Sequence, residues 1–101
     1  MTIATKPFDP SEFLDSPEAI EEYLRAAFET DDASVITDAL GVVARAKGMT
    51  ELASDTGLAR PALYKALSRD GNPEFATIIK VAHALGFTLR PERMPAGVQG
   101  D

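Results

Sequence analysis

The sequence predicts an all-α domain of five helices, preceded by an N-terminal arm and followed by a short C-terminal strand. Three observations carry this expectation. Apolar residues recur at helical spacing in successive segments between Ile20 and Leu85. Those segments are bounded by start and stop residues, among them Ser16-Pro17, Gly48, Gly57 and Gly86. The chain has 101 residues and no cysteine, which suits one small core and excludes disulfide scaffolds, zinc fingers and thiol chemistry.

The arm spans residues 1–15. Pro7 and Pro10 forbid a regular helix, yet Phe8, Phe13 and Leu14 are too apolar for a freely solvated tail, so they are expected to dock on the body or on a partner. Ser16 caps the first helix, with Pro17 at its first position and Glu18 near the positive end of its dipole. Ile20, Tyr23, Leu24, Ala27 and Phe28 share one face of this helix, and Glu18, Glu21, Glu22, Arg25 and Glu29 lie largely on the other. Thr30-Asp31-Asp32 ends it and opens a second helix from about Ser34 to Lys47, with Ile36, Leu40, Val43 and Ala44 inward. Arg45 and Lys47 suit its negative end, and Gly48 stops it.

Residues 52–67 read as two short helices joined by a tight turn at Gly57, where glycine takes positive φ without steric cost. Leu52 and Ala53 face the core from the first and Leu58 closes the turn, while Leu63, Ala66 and Leu67 form the inner face of the second. Arg60, Pro61, Ala62, Tyr64 and Lys65 are left facing outward, on a helix shaped to enter a DNA groove. Residues 68–73 form a polar loop in which Asn72 caps and Pro73 begins a further helix, with Phe75, Ile78, Val81, Ala82 and Leu85 toward the core. Gly86 ends that helix, Phe87-Thr88-Leu89-Arg90 alternates like a short strand, and Pro91 closes it. The domain thus spans residues 16–90, and residues 91–101 are expected to be a flexible tail.

The net charge of −6 divides unevenly along the chain. Residues 1–44 set Lys6 and Arg25 against ten carboxylates, a net −8, whereas residues 45–90 set seven bases against four carboxylates, a net +3. Such polarity suits two surfaces with different partners, although any single acid can equally be a solvated helix charge. No apolar run reaches membrane-spanning length, and the N-terminus lacks the order of a signal peptide, so a cytoplasmic protein is expected. The only histidine, His83, has no second imidazole or thiol to share a metal, and is expected to be half-buried on its helix. No nucleophile stands in a recognisable order with Glu18, Glu21 and Glu22, so recognition is expected here rather than catalysis, without metal or cofactor.

Gly48-Met49-Thr50-Glu51-Leu52-Ala53, Gly57-Leu58-Ala59-Arg60, residues 63–68, Gly71-Asn72-Pro73 and the Lys80-Val81…Ala84-Leu85-Gly86 segment together resemble the Xre/Cro-like helix-turn-helix domain. With Phe8-Asp9-Pro10, Leu14-Asp15, Ile20 and Tyr23-Leu24, they resemble its addiction module antidote branch, the HigA-like antitoxins, over roughly residues 7–90. The resemblance implies a dimeric autorepressor that binds an operator and neutralises a RelE/ParE-type toxin. The alternatives are a free-standing, phage-like transcriptional regulator, or a protein-interaction module that has lost DNA binding. Three positions depart from the family pattern: Ala59 replaces a capping Ser or Thr, Pro61 partly offsets that loss, and Glu51 replaces a glutamine that commonly touches the DNA backbone.

The candidate DNA contacts are Thr50, Arg60, Pro61, Ala62, Tyr64, Lys65, Arg69 and Asn72. Arg60, at the start of the reading helix, suits bidentate pairing with guanine; its alternative is an ion pair with Asp55 or Asp70. Lys65 suits a phosphate or a base edge, or is a solvated charge. Tyr64 either donates to a phosphate or covers the core edge, and Asn72 either binds phosphate or caps its helix. Phe8, Phe13, Leu14 and Tyr23 are candidate toxin anchors, or else pack the first helix onto the body. Phe87, Thr88, Leu89 and Arg90 are the candidate dimer interface, as a strand edge pairing with its symmetry mate.

Overall fold

A computed structural model describes residues 14–97, so Phe8 and Phe13 and most of the expected arm lie outside the described residues. Five helices follow in order: α1 (Pro17–Glu29), α2 (Ala33–Lys47), α3 (Met49–Thr56), α4 (Arg60–Ala66) and α5 (Phe75–Ala84). There is no strand among the described residues.

The first half follows its local chemistry. The Ser16 hydroxyl accepts from the Ala19 N–H at 3.1 Å, and Pro17 occupies the first turn of α1. Asp32 caps α2: its carboxylate accepts from the Ser34 N–H at 2.9 Å, the Ser34 hydroxyl at 2.8 Å and the Val35 N–H at 3.4 Å. Between the two helices Asp31 takes a φ of 55°, the one positive value on a non-glycine among the described residues. Gly48 ends α2 with its N–H donating to the Ala44 carbonyl at 2.8 Å.

α2 is the central element. Leu40, Val43 and Ala44 are buried, as their spacing predicts, and Ile36 packs against the same cluster. Thr37, Ala39, Gly41 and Val42 are buried too, so the helix is enclosed on nearly every side rather than along one stripe. The sequence carries a sign of this: residues 39–44 form an uncharged run of six small or aliphatic side chains. α1 packs on α2, and α3 packs on α2, α4 and α5. The core gathers Leu24 and Ala27 of α1, Leu40 and Val43 of α2, Met49 and Leu52 of α3, Leu63 and Leu67 at α4, and Val81 and Leu85 at α5.

Four local expectations are corrected. Asn72 does not cap α5, and Pro73 does not begin it. Glu74 holds the cap position without a side-chain bond, and Pro73 stands just before it. Because α5 starts only at Phe75, that ring projects past the end of the core and is 73% exposed, whereas Ile78, Val81, Ala82 and Leu85 pack inward. Phe87 does not open a strand. It completes the cap of α5: the Gly86 N–H donates to the His83 carbonyl at 3.0 Å and the Phe87 N–H to the Ala82 carbonyl at 2.8 Å. Gly86 takes the required positive φ of 92°, and the Phe87 ring packs onto the core, completing a Schellman cap. The donor that a strand would offer is thereby spent, and residues 88–90 find no described partner to pair with. His83, expected to be half-buried, is exposed.

Candidate functional site

The site is built around α4, seven residues from Arg60 to Ala66. Its approach is set by Gly57, whose φ of 76° turns the chain out of α3 while its N–H donates to the Ala53 carbonyl at 2.9 Å. The Thr56 hydroxyl tightens the same turn, donating to the Leu52 carbonyl at 2.8 Å and accepting from the Leu58 N–H at 3.3 Å. Leu58 packs on the core beyond it.

α4 is anchored from beneath by Leu63, which has no exposure, and by Leu67 at its C-cap, 2% exposed. Arg60, Pro61, Ala62, Tyr64 and Lys65 are all exposed on the other side, as the spacing predicts. Tyr64 is 45% exposed, so its ring is far from sealed against the core edge. Thr50 near the start of α3, Arg69 in the loop after α4 and Asn72 before α5 are exposed as well. The alternative ion pair of Arg60 with Asp55 or Asp70 does not form; among the described residues the ion pair is Arg25 with Glu21, at 2.6 Å on the solvent side of α1.

Ala59 occupies the cap position of α4 with extended backbone and no side-chain cap bond, and Pro61 lies in the first turn. The first N–H groups of this helix are therefore left without a protein acceptor from the cap side chain, next to the Arg60 guanidinium. Glu51, Asp55 and Asp70 are exposed around the same elements. Of the seven bases in the second half, Lys47 has a structural use, its ammonium donating to the Leu85 carbonyl at 3.4 Å at the end of α5. Arg69 lies close enough to Asp32 to help lower its pKa. The larger causes are the hydrogen bonds from the Ser34 hydroxyl and from the Ser34 and Val35 N–H groups, with a small opposing effect of burial.

The candidate partner surfaces are split. Leu14 and Tyr23 are half-buried and pack against the core cluster, so in the free protein both serve the fold. Burial pushes the Tyr23 hydroxyl above its ordinary pKa, the Asp38 carboxylate adds to this, and Arg45 opposes it. In α1 the exposed set is Glu18, Glu21, Glu22, Arg25 and Glu29 together with Ala26 and Pro17, which leaves a largely acidic outer face. An open groove of about 540 Å³ runs beside it, lined by Leu14, Pro17, Ile20, Lys47 and Phe87 among others. At the other candidate interface the alternation holds: Phe87 and Leu89 are half-buried, Thr88 and Arg90 exposed. Among the described residues no three His, Asp or Glu side chains gather in a way that could hold a metal ion, and no helix is long and apolar enough to cross a membrane.

Residues 4–93 match the family described as probable addiction module antidote protein. An uncharacterized protein of Haemophilus influenzae is 44% identical over 93 residues, covering 92% of this chain and 96% of that relative. No solved structure matches the chain. With nine-tenths of its length inside the match, the chain belongs to the family of probable addiction module antidote proteins.

Proposed function

We propose that this protein is the DNA-binding antitoxin of a type II toxin–antitoxin module, a cytoplasmic homodimer of Xre/Cro-like, HigA-type helix-turn-helix domains. It neutralises a RelE/ParE-type toxin and represses its own operon. The observation that carries the DNA half is the two-sidedness of α4, with Leu63 and Leu67 sealed beneath and Arg60, Pro61, Ala62, Tyr64 and Lys65 open above. In this reading Arg60 pairs with a base edge, while Lys65, Tyr64, Thr50, Arg69 and Asn72 hold the backbone and set register. In this reading two-fold pairing through residues 88–90, beyond the Phe87 that caps α5, matches an inverted-repeat operator.

The toxin half rests on family membership and charge. A ribonuclease toxin that binds RNA is basic, and the acidic outer face of α1 is complementary to it. Phe8 and Phe13 are the apolar anchors in this reading, with Leu14 and Tyr23 supporting them from within the fold.

A second reading, an interaction module without DNA binding, is favoured by one observation: Glu51, Asp55, Asp70 and Glu74 are all exposed around the proposed reading surface. Carboxylates beside phosphates oppose binding. A gel shift of the full chain on the DNA upstream of its gene, across several salt concentrations, separates the two. Salt-sensitive binding to that DNA over scrambled DNA supports the repressor, and no binding at low salt leaves the interaction module. Co-purification with the product of a short, basic neighbouring reading frame tests the toxin half.

A further inference from the structure

α4 is held in place from its C-terminal end, and two glycines do the holding. Gly41 lies in the middle of buried α2, where glycine is a poor helix former. Its φ is not positive, so no backbone requirement explains it. Its use is closeness: a Cβ built there falls 2.3 Å from the Leu67 carbonyl oxygen, and real Cβ contacts essentially never come below 3.0 Å. Gly71 does the same from the loop beyond. A Cβ there falls 2.5 Å from both the Ala66 and the Lys65 carbonyl oxygens. Three successive carbonyls at the end of α4 thus rest on the bare Cα atoms of two glycines from different parts of the chain. The loop is also tied to the helix end by the Ser68 hydroxyl, which donates to the Lys65 carbonyl at 2.9 Å, and by the Gly71 N–H, which donates to the Ser68 carbonyl at 2.9 Å. At the other end of α4 the cap position itself carries no side-chain bond, since Ala59 supplies none.

We infer that Gly41 and Gly71 are positioning residues for DNA reading: they set how far α4 stands out from α2, and so where Arg60 and Lys65 meet the groove. This rests on α4 being the reading helix. A methyl group at position 41 makes the Leu67 carbonyl retreat by about 1 Å to reach an ordinary contact of 3.4 Å. Leu67 is backbone at the helix end, so the displacement is carried by the short helix as a body rather than absorbed by a side-chain rotation. Hydrogen bonds to base edges depend steeply on distance and angle, whereas phosphate contacts from long basic side chains tolerate a shift.

The test compares operator with scrambled DNA in the full-length protein. Gly41→Ala is made in an Ala59→Ser background, whose added cap bond offsets lost stability from the opposite end of α4. Against the Ala59→Ser parent, the ratio of operator to scrambled-DNA affinity is expected to fall at least about tenfold, the scale of one lost base pair. Affinity for scrambled DNA should change by less than about twofold, because phosphate contacts supply it. Gly71→Ala, in a surface loop, is the second variant and is expected to lower the same ratio. A folded Gly41→Ala or Gly71→Ala protein with the parent's ratio overturns the inference. So does a ratio that simply tracks melting temperature across the variants, since that marks a stability effect alone. Amide chemical shifts distinguish the two levels of failure. If the parent itself prefers no DNA but the variants still shift the α4 amides, the reading of α4 has failed and the clamp has not.

Discussion

Leu63 and Arg60 are one helical turn apart in sequence, yet their burial assigns them opposite jobs. Leu63 has no exposure and belongs to the cluster that includes Leu40, Leu52 and Leu67, whereas Arg60 is exposed. Leu63→Ala removes three carbons from an enclosed site that can collapse only in part, a loss of about 2–5 kcal/mol. A domain of this size is stable by about 5–15 kcal/mol, so the change takes a large share of the total. With a urea slope of about 1–3 kcal/mol/M, the unfolding midpoint falls by at least about 0.7 M. Arg60→Ala, by contrast, should leave the unfolding free energy within about 0.5 kcal/mol of the parent. Its cost appears in DNA binding, as about 1–3 kcal/mol of operator affinity with relaxed base preference, whereas Lys65→Ala weakens all sequences more evenly. Urea titrations followed by circular dichroism, with gel shifts on the same preparations, read both quantities. If Arg60→Ala destabilises the protein as much as Leu63→Ala does, or Leu63→Ala costs under about 1 kcal/mol, the register assigned to α4 is wrong.

Ala59→Ser should raise stability by about 1 kcal/mol in the same titration, since the cap of α4 is unfilled and its backbone is already extended; no gain would mean another group serves those N–H donors. Asp32 has a pKa below its ordinary value, so its contribution is full above the unfolded-state value of about 3.9 and is lost as the pH falls through the lower folded value. Acid titration of Asp32→Asn, which keeps a cap acceptor but does not titrate, should therefore show a flatter loss of stability below about pH 4 than the parent. A chain beginning at Leu14 keeps the half-buried leucine, so it should stay folded and bind DNA while its affinity for the toxin and its rescue of growth fall sharply. Normal neutralisation by that truncation would dismiss Phe8 and Phe13 as anchors. A chain ending at Phe87 keeps the ring that caps α5 but removes residues 88–90, and light scattering should report monomer; full dimerisation would remove this segment from the interface.

The helix boundaries that rest on local chemistry are legible in the chain. Ser16-Pro17 starts α1, Asp32 caps α2, and Gly48, Gly57 and Gly86 stop or turn the backbone where their spacing predicts. The outward placement of Pro61, Ala62 and Lys65 on α4 is legible for the same reason, since a helix of known period with Leu63 and Leu67 inward turns these residues away, whereas Arg60, one turn before Leu63, is exposed because it stands at the start of the helix. Cap and period act within a few residues, so they can be read without knowing the neighbours. Asn72, Phe75 and Phe87 were not legible, because each depended on a competition that the local pattern does not contain. Where α5 begins decided whether Phe75 met the core, and the Schellman bonds to Ala82 and His83 decided that Phe87 caps a helix rather than opening a strand. Gly41 shows the limit most clearly. In the sequence it is a weak helix residue among aliphatics, and its meaning lies in a carbonyl 26 positions further along the chain that packing brings against its bare Cα. Periodicity records which face of a helix is dry, but not which backbone atom arrives there, because that depends on how separate helices stack.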